Sequence, residues 1–579
     1  MPDSLLTTRL AKIRQHRTAP LILELDLTDG LSETRPADLV SGLLARGKTA
    51  LPDVLDGLRR ARQDDRVAVL VARLGGKPIG LAAVQELRRA VADFAEAGKP
   101  TIAWAESFGE FSAANVQYYL ATAFESVWLQ PSGDLGLTGI AVERVFLRGA
   151  LDKVGADFQV AARHEFKSAA EQLTETGFSG PAREATERMT ASVTEQLVQA
   201  IAERRGLSRD KVSELIDAGP FLAGRARTEG LVDELGYRDE VYARARKLAG
   251  PDAVVAYLGR YARGKAMAEK ARTKVTTVPG SREPGLALIY ATGPIRRGRS
   301  GRGLMGGSMG SDTIAAAIRA AAKDEHTRAI VLRVNSPGGS YVASDTIWRE
   351  VVRARAGGKP VVASMGDVAA SGGYYISMAA DVIMAQPGTL TGSIGVIMGK
   401  PVFEEALGRL GITTDSVAEG ARARMLAPTH PFTQDEWDRV NAWLDAIYRE
   451  FIEKAASGRR MPVERMHELA RGRVWTGADA AANGLVDELG GMADAAEIAR
   501  RRAGLPAGAP LRIWPRLTPL DQLRPPESSE ARPAAAAALD FGFADGSAYL
   551  GWGPAWRLAA RAGLPPYGPL ILPGTWNIS

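Results

Sequence analysis

One seven-residue string occurs twice in this chain, and the repetition limits the folds open to it. Gly230-Leu231-Val232-Asp233-Glu234-Leu235-Gly236 recurs letter for letter from Gly484 to Gly490. Upstream, Tyr118-Tyr119 followed by Gln130-Pro131 recurs as Tyr374-Tyr375 followed by Gln386-Pro387, at an offset of 256 residues. A chain of 579 residues is too long for a single hydrophobic core. A repeat of this period divides it into two related halves, each the size of a large α/β domain. The halves differ where chemistry is concerned. Ser371, flanked by Ala370 and Gly372-Gly373, stands opposite Asn115. Lys167 stands opposite Ala423, or Ala421 if the heptad's offset of 254 is used. One copy lacks a candidate nucleophile and the other a candidate base, so one composite site per chain is expected, with neither half active alone.

Both halves show the same alternation of elements. Each opens on a continuous apolar run, Leu21 to Leu25 or Leu286 to Tyr290. A helical segment follows, then a second apolar run, Ala68 to Val71 or Ala329 to Leu332. A further helix ends at Gly98-Lys99-Pro100 or Gly358-Lys359-Pro360 and leads into Thr101-Ile102-Ala103 or Val361-Val362-Ala363. Short β-branched runs alternating with helical patterns indicate parallel strands joined by crossover helices, an α/β fold stated twice. Long amphipathic helices are expected at about 182–205 and 434–457, followed in each half by the repeated heptad, read as a structural helix exit. The organisation expected is a basic N-terminal segment (1–18), a first repeat (19–255), a basic helical linker (256–284), a second repeat (285–504) and a Pro/Gly/Trp-rich extension (505–579). Residues 296–311 are rich in glycine and suit a mobile loop near a site.

Composition removes several classes of function. There is no cysteine, so disulfides, thiolate catalysis and cysteine metal sites are out. The five histidines are scattered without ligand spacing, so no metal and no cofactor is expected. A net charge of +6 without a basic face interleaved with aromatics argues against nucleic acid. No run of 18 or more apolar residues encodes a transmembrane helix. The N-terminus, broken by Arg9, Lys12, Arg14 and Arg17, does not read as a secretory signal. Leu5, Leu6, Leu10 and Ile13 can form one face of a short basic amphipathic helix, either a docking helix or an interfacial membrane contact. The location expected is cytoplasmic, with peripheral membrane contact left open.

Two glycine-rich segments follow strands. Asn335-Ser336-Pro337-Gly338-Gly339 lies at the carboxyl end of a strand, where open α/β sheets place their ligand crevice. Its adjacent glycines leave backbone amides uncovered for a developing oxyanion; a simple turn is the alternative. Ala369-Ala370-Ser371-Gly372-Gly373-Tyr374-Tyr375 places a serine among small residues at a helix start. Ser371 there is either a nucleophile or a helix N-cap. A serine hydroxyl needs a base, and no histidine occupies a corresponding strand end. A lysine serves if burial keeps it neutral. Lys167 in Glu165-Phe166-Lys167-Ser168-Ala169-Ala170 is compatible with burial, although residue physics alone does not single it out.

Taken with Thr391-Gly392-Ser393-Ile394-Gly395-Val396 and Val474-Trp475-Thr476-Gly477, these segments give the span 20–500 a specific likeness. It resembles the signal peptide peptidase A family of bacterial serine peptidases, in its long tandem-repeat form. The resemblance implies a tandem duplication of a Clp protease/crotonase-like domain and a Ser-Lys dyad. It makes Ser371 the nucleophile, Lys167 the general base and Ser393 the residue that orients the amine. It also makes the amides of Gly339 and Gly372 the oxyanion hole, with Gly338 and Gly373 beside the substrate. The expected substrates are hydrophobic peptides such as signal-peptide remnants, and the expected assembly is a homo-oligomer, a tetramer being favoured. Clp proteases place a histidine before the Gln-Pro, whereas this chain has Ala385-Gln386-Pro387, which favours the dyad over a triad. Long members of the family carry an N-terminal membrane anchor that this sequence does not show. Crotonase-like acyl-CoA chemistry and a non-catalytic pseudo-peptidase scaffold are the competing readings.

Overall fold

A computed structural model describes residues 18–35, 49–276, 282–303, 306–515 and 570–571. The amphipathic N-terminal segment, most of the C-terminal extension and part of the linker lie outside these residues. The described residues fall into two compact units, one drawn from 1–141 and 193–281, the other from 142–192 and 282–576. Residues 142–192 therefore belong to the first repeat in sequence and to the second unit in space.

The first unit is built on a six-stranded sheet. Its order is Glu234–Leu235, Ser126–Leu129, Thr101–Ala105, Val67–Leu74, Leu21–Asp26 and Val254–Tyr257, and every pairing is parallel. Parallel strands need helices on both faces, because their connections cross over the sheet. Side chains alternate accordingly. Ile22, Val69, Val71, Ile102 and Trp104 face the helix Arg238–Ala249 through Val241, Tyr242 and Ala245. Leu21, Leu23, Leu70, Ala72 and Ala103 enter the larger core with the helices Leu51–Arg62 and Leu81–Ala95.

The second unit repeats this plan. Its main sheet runs Val474–Thr476, Leu390–Gly392, Val361–Ala370, Thr327–Ser336, Gly285–Thr292 and Leu511–Trp514. Only the Val474–Thr476 edge is antiparallel to its neighbour. Leu511–Trp514 pairs in parallel with Gly285–Thr292 as Val254–Tyr257 pairs with Leu21–Asp26. The repeat thus continues past residue 504, where sequence similarity fades. The glycine-rich stretch expected as a mobile loop forms a hairpin instead: Gly301–Gly303 pairs antiparallel with Gly306–Gly310. Most of the basic linker is helix, Leu258–Thr276, and it packs on the first unit, with Leu258 filling the space left by Gly57.

The repeated sequence strings have one physical cause. In the first unit the Tyr118 hydroxyl donates to the Leu231 carbonyl at 2.6 Å. In the second the Tyr374 hydroxyl donates to the Leu485 carbonyl at 3.0 Å. The heptad aspartates accept from the strand amides of Val127 and Ile383, both at 2.7 Å. Arg205 and Arg459, near the ends of the long helices Gly180–Arg205 and Gln434–Arg459, hold the same aspartates. Tyrosine, heptad and long helix are thereby tied together once in each unit. Tyr374→Phe orphans a buried acceptor and is expected to destabilise the protein by about 1–3 kcal/mol in urea unfolding.

Candidate active site

Ser371 follows the strand Val361–Ala370 and precedes the short helix Gly372–Ser377. It stands in the N-cap position, yet its side chain caps nothing. Its backbone has φ 54° and ψ −111°, a region where a residue with a Cβ is strained by about 1–3 kcal/mol. The chain is held there by the Ser371 amide donating to the Gly392 carbonyl at 2.8 Å and by the Tyr375 amide donating to the Ser371 carbonyl at 2.9 Å. Ser393 is the second serine with positive φ, 50°. Its amide donates to the Arg473 carbonyl at 2.7 Å.

Lys167 reaches these serines by way of a strand. Asp157–Arg163 pairs antiparallel with Val396–Val402, Arg163 opposite Val396 and Asp157 opposite Val402. The turn after Arg163 brings the Lys167 amide onto the His164 carbonyl at 3.0 Å. Its side chain turns inward within the second unit, where Nζ lies 2.9 Å from Ser371 Oγ, 2.9 Å from Ser393 Oγ and 3.0 Å from the Ser393 carbonyl. Lys167 is 4% exposed, and both serines are fully buried. Burial away from water disfavours the ammonium form, so the lysine pKa falls well below its usual 10.5. All three partners of the amine are serine oxygens, and none carries a compensating charge.

The glycines form the facing wall. Gly338 and Gly339 have φ 103° and 151°. A Cβ on Gly339 would meet the Ile295 carbonyl oxygen at 2.1 Å, so only glycine fits. Gly372 abuts the same strand: a Cβ there would lie 3.0 Å from Gly338 Cα and 3.1 Å from Gly339 N. Gly373 backs onto the Ser336 carbonyl, 2.6 Å from where its Cβ would be. All seven residues singled out in the sequence, Lys167, Gly338, Gly339, Ser371, Gly372, Gly373 and Ser393, are thus gathered within the second unit.

Sequence reasoning missed the clasp behind the lysine. Gly472 donates to the Ile394 carbonyl at 2.8 Å, and a Cβ on it would lie 2.6 Å from Lys167 Cβ. Arg471 pairs with Glu165, while Arg473 lies over the Phe166 ring at 4.9 Å. The histidines read as scattered are in part brought together. His164 and His467 have ring centroids 5.0 Å apart, and Tyr448 Oη lies 3.0 Å from His467 Nδ1. Among the described residues no acidic or histidine cluster is arranged to hold a metal ion. Lys400 is also buried, donating to the carbonyls of Met425 and Ala427 at 2.8 and 3.1 Å. Burial lowers its pKa to about 8. It pins a loop and touches neither serine through these bonds. The signal for the clasp was local, an Arg-Gly-Arg string just before Val474; its meaning depends on what folds against it.

In the first unit the corresponding positions hold other residues. Asn115, opposite Ser371, opens the helix Asn115–Ala121. Its Oδ1 accepts from the amides of Thr138 and Gly139, each at 3.0 Å, and its Nδ2 donates to the Gly139 carbonyl at 2.9 Å. Leu137, opposite Ser393 on the 256 offset, is a fully buried core residue.

The sequence profile of peptidase family S49 matches this chain twice, over residues 93–252 and 353–506. The chain belongs to peptidase family S49. A chloroplastic serine protease SPPA of Arabidopsis thaliana is 31% identical over 493 residues, covering 84% of this chain and 69% of that protein. Protease 4 of Salmonella typhi is 33% identical over 477 residues, covering 78% and 72%. Protease 4 of Haemophilus influenzae is 32% identical over 494 residues, covering 82% and 77%. These relatives bear out the resemblance to the signal peptide peptidase A family, and the chain is a serine peptidase. The two matched regions of this S49 peptidase also bear out the tandem α/β architecture.

Burial of Lys167 has a measurable signature. The unfolded lysine titrates near 10.5 and the folded one well below it. Between those values the unfolded chain holds the extra proton, so stability rises with pH across that interval. Lys167→Met removes this dependence. In chemical denaturation the stability of wild type relative to the variant should improve steadily as pH rises toward the unfolded lysine value. A difference independent of pH would mean that the folded amine keeps its proton.

Proposed function

We propose that Ser371 and Lys167 are the catalytic dyad of this serine peptidase. The observation that carries the assignment is the 2.9 Å approach of a buried, uncompensated lysine amine to Ser371 Oγ. A neutral amine has two N–H groups and one lone pair. The Ser393 carbonyl can only accept, so it takes one N–H; Ser393 Oγ takes the other. The lone pair is then left for the Ser371 hydroxyl, which donates its proton to Lys167 as Oγ attacks the scissile carbonyl. The amides of Gly339 and Gly372 stabilise the tetrahedral oxyanion, with Gly338 and Gly373 lining the approach. The protonated lysine next gives its proton to the leaving amine, and water releases the acyl enzyme. The two repeats divide the labour, the first contributing the lysine and the second the serine.

The substrates we assign are hydrophobic peptides, signal-peptide remnants among them. Support comes from the small residues around Ser371 and from the family to which the chain belongs. A homo-oligomer, a tetramer for preference, accords with Leu410, Ile412 and Val417, which are 75%, 49% and 105% exposed on one loop. Among the described residues no helix is long and apolar enough to cross a membrane; the membrane contact we propose is peripheral.

Ser371→Ala is expected to lower kcat/KM on an apolar peptide by about 10⁴-fold or more, and Lys167→Ala by about 10²- to 10⁴-fold. Full activity in Ser371→Ala would overturn the assignment. The acid limb of the wild-type pH profile should follow Lys167: kcat/KM rises with pH as the amine loses its proton and levels off below 10.5. In light scattering, Leu410→Asp combined with Val417→Asp should shift the assembly toward smaller species. An unchanged mass would rule out that loop as the interface.

A further inference from the structure

Tyr448 lies in the long helix Gln434–Arg459 and is buried. Its Oη accepts from the Arg471 amide at 3.3 Å and lies 3.0 Å from His467 Nδ1. Burial raises the phenol to about 12, so the hydroxyl keeps its proton. Among the described residues it meets no other acceptor, and the proton therefore goes to Nδ1. That bond needs His467 neutral, with its own N–H on Nε2, because a protonated ring only donates.

Both ends of the lysine turn meet this tyrosine. At the entry, the His164 ring packs edge-on against the Tyr448 ring, centroids 4.5 Å apart, and the His164 carbonyl accepts from the Lys167 amide at 3.0 Å. Behind the turn, Arg471 has φ 54°, and its carbonyl accepts from the Phe166 amide at 3.1 Å. The next two residues reach the dyad's surroundings directly. The Gly472 backbone packs on Lys167, and the Arg473 carbonyl accepts from the Ser393 amide. The bond from the Arg471 amide to Tyr448 thus fixes the segment 471–473 to the long helix.

The charges facing the two imidazoles are already matched. Asp445 on the long helix is held by Arg163 from the ladder and lies near Arg449. Glu165 on the turn is held by Arg471, and Glu468, next to His467, pairs with Arg465. A proton gained by the histidine pair finds no spare carboxylate, and the rings are only 5.0 Å apart. Burial, then His467, Arg163 and Arg471, hold His164 below its usual 6.5 against the pull of Asp445.

We propose that Tyr448 and His467 are positioning residues for the dyad, the Tyr448 hydroxyl fixing Arg471–Arg473 behind Lys167 only while His467 is neutral. This rests on the dyad assignment above. Both residues act through the clasp, which sets where the lysine amine and Ser393 stand. Protonation turns His467 Nδ1 from acceptor to donor, and the Tyr448 proton loses its partner. Two donors, Nδ1–H and the Arg471 amide, then compete for one oxygen. The site loses its alignment as the histidine pair takes up a proton.

The test uses the full chain and a short apolar chromogenic peptide. Tyr448→Phe should lower kcat by about tenfold or more with KM little changed. His467→Ala should do the same. His467→Asn, whose carbonyl oxygen is an acceptor that takes no proton, should restore most of that loss. Below about pH 6.5, where an ordinary histidine becomes charged, wild-type kcat/KM should fall by about a further tenfold beyond the single-proton limb of Lys167. His467→Asn and Tyr448→Phe should follow the single-proton limb alone. Wild-type kcat in Tyr448→Phe, or an extra acid loss that persists in His467→Asn, would overturn the inference. If Ser371→Ala is inactive while Tyr448→Phe and His467→Asn match wild type at every pH, the dyad stands and the positioning role falls. If Ser371→Ala is fully active, the dyad is wrong and the inference goes with it.

Discussion

The antiparallel ladder between Asp157–Arg163 and Val396–Val402 is the constraint on which the site depends. It captures residues 142–192 for the second unit and sets the register from which Lys167 reaches Ser371. The register leaves little freedom: a slip of one residue turns each side chain to the opposite face, and a slip of two moves the lysine turn by about 7 Å. The clasp around Gly472 fixes the same turn from behind, because its backbone packs directly on Lys167. Arg163, at the end of the ladder, is further held by Asp445 and Asn441 on the long helix Gln434–Arg459. The contact between Lys167 and Ser371 thus relies on backbone pairing between segments far apart in sequence.

Unfavourable terms are concentrated at the site and offset by the scaffold. Two serines have positive φ, and one amine is stripped of water without a counter-ion. Around them the packing is dense and the polar groups are tied. Tyr374 and Asp487 lock the serine helix and the adjacent strand to the heptad. Tyr375, on that helix, donates to Asp345 at 3.0 Å. The first unit has the same tyrosine and aspartate ties without a strained residue at Asn115. The ties therefore belong to the fold, and the strain belongs to the site.

The two-copy α/β plan was legible in the sequence because it rests on local signals. Apolar runs become buried parallel strands, and the heptad marks the helix exit in both halves. Boundaries were less legible: Leu511–Trp514 joins the sheet through a pairing that no residue pattern announces, and the glycine run from 301 to 310 pairs with itself. Ser371 and Gly339 drew attention through their place after strands. Lys167 did so through family likeness only, since its burial is created by strands and loops more than 200 residues downstream. Gly472 and the His164–His467 contact were invisible for the same reason. Each acquires its role from a long-range neighbour.

Asn115 gives the duplication a direction. In the first unit its side chain accepts from two backbone amides and donates to a carbonyl, work that a serine at that position is too short to perform. Replacing it with serine would lose these part-buried bonds, at about 0.5–1.5 kcal/mol each. Leu137, which stands opposite Ser393 in the repeat, is a fully buried core residue and offers no oxygen from its side chain. Asparagine at this position is therefore held in place by the stability of the first unit itself. The asymmetry between the repeats is thus written into the stability of the first unit: a serine at 115 starts from a deficit before any other position changes.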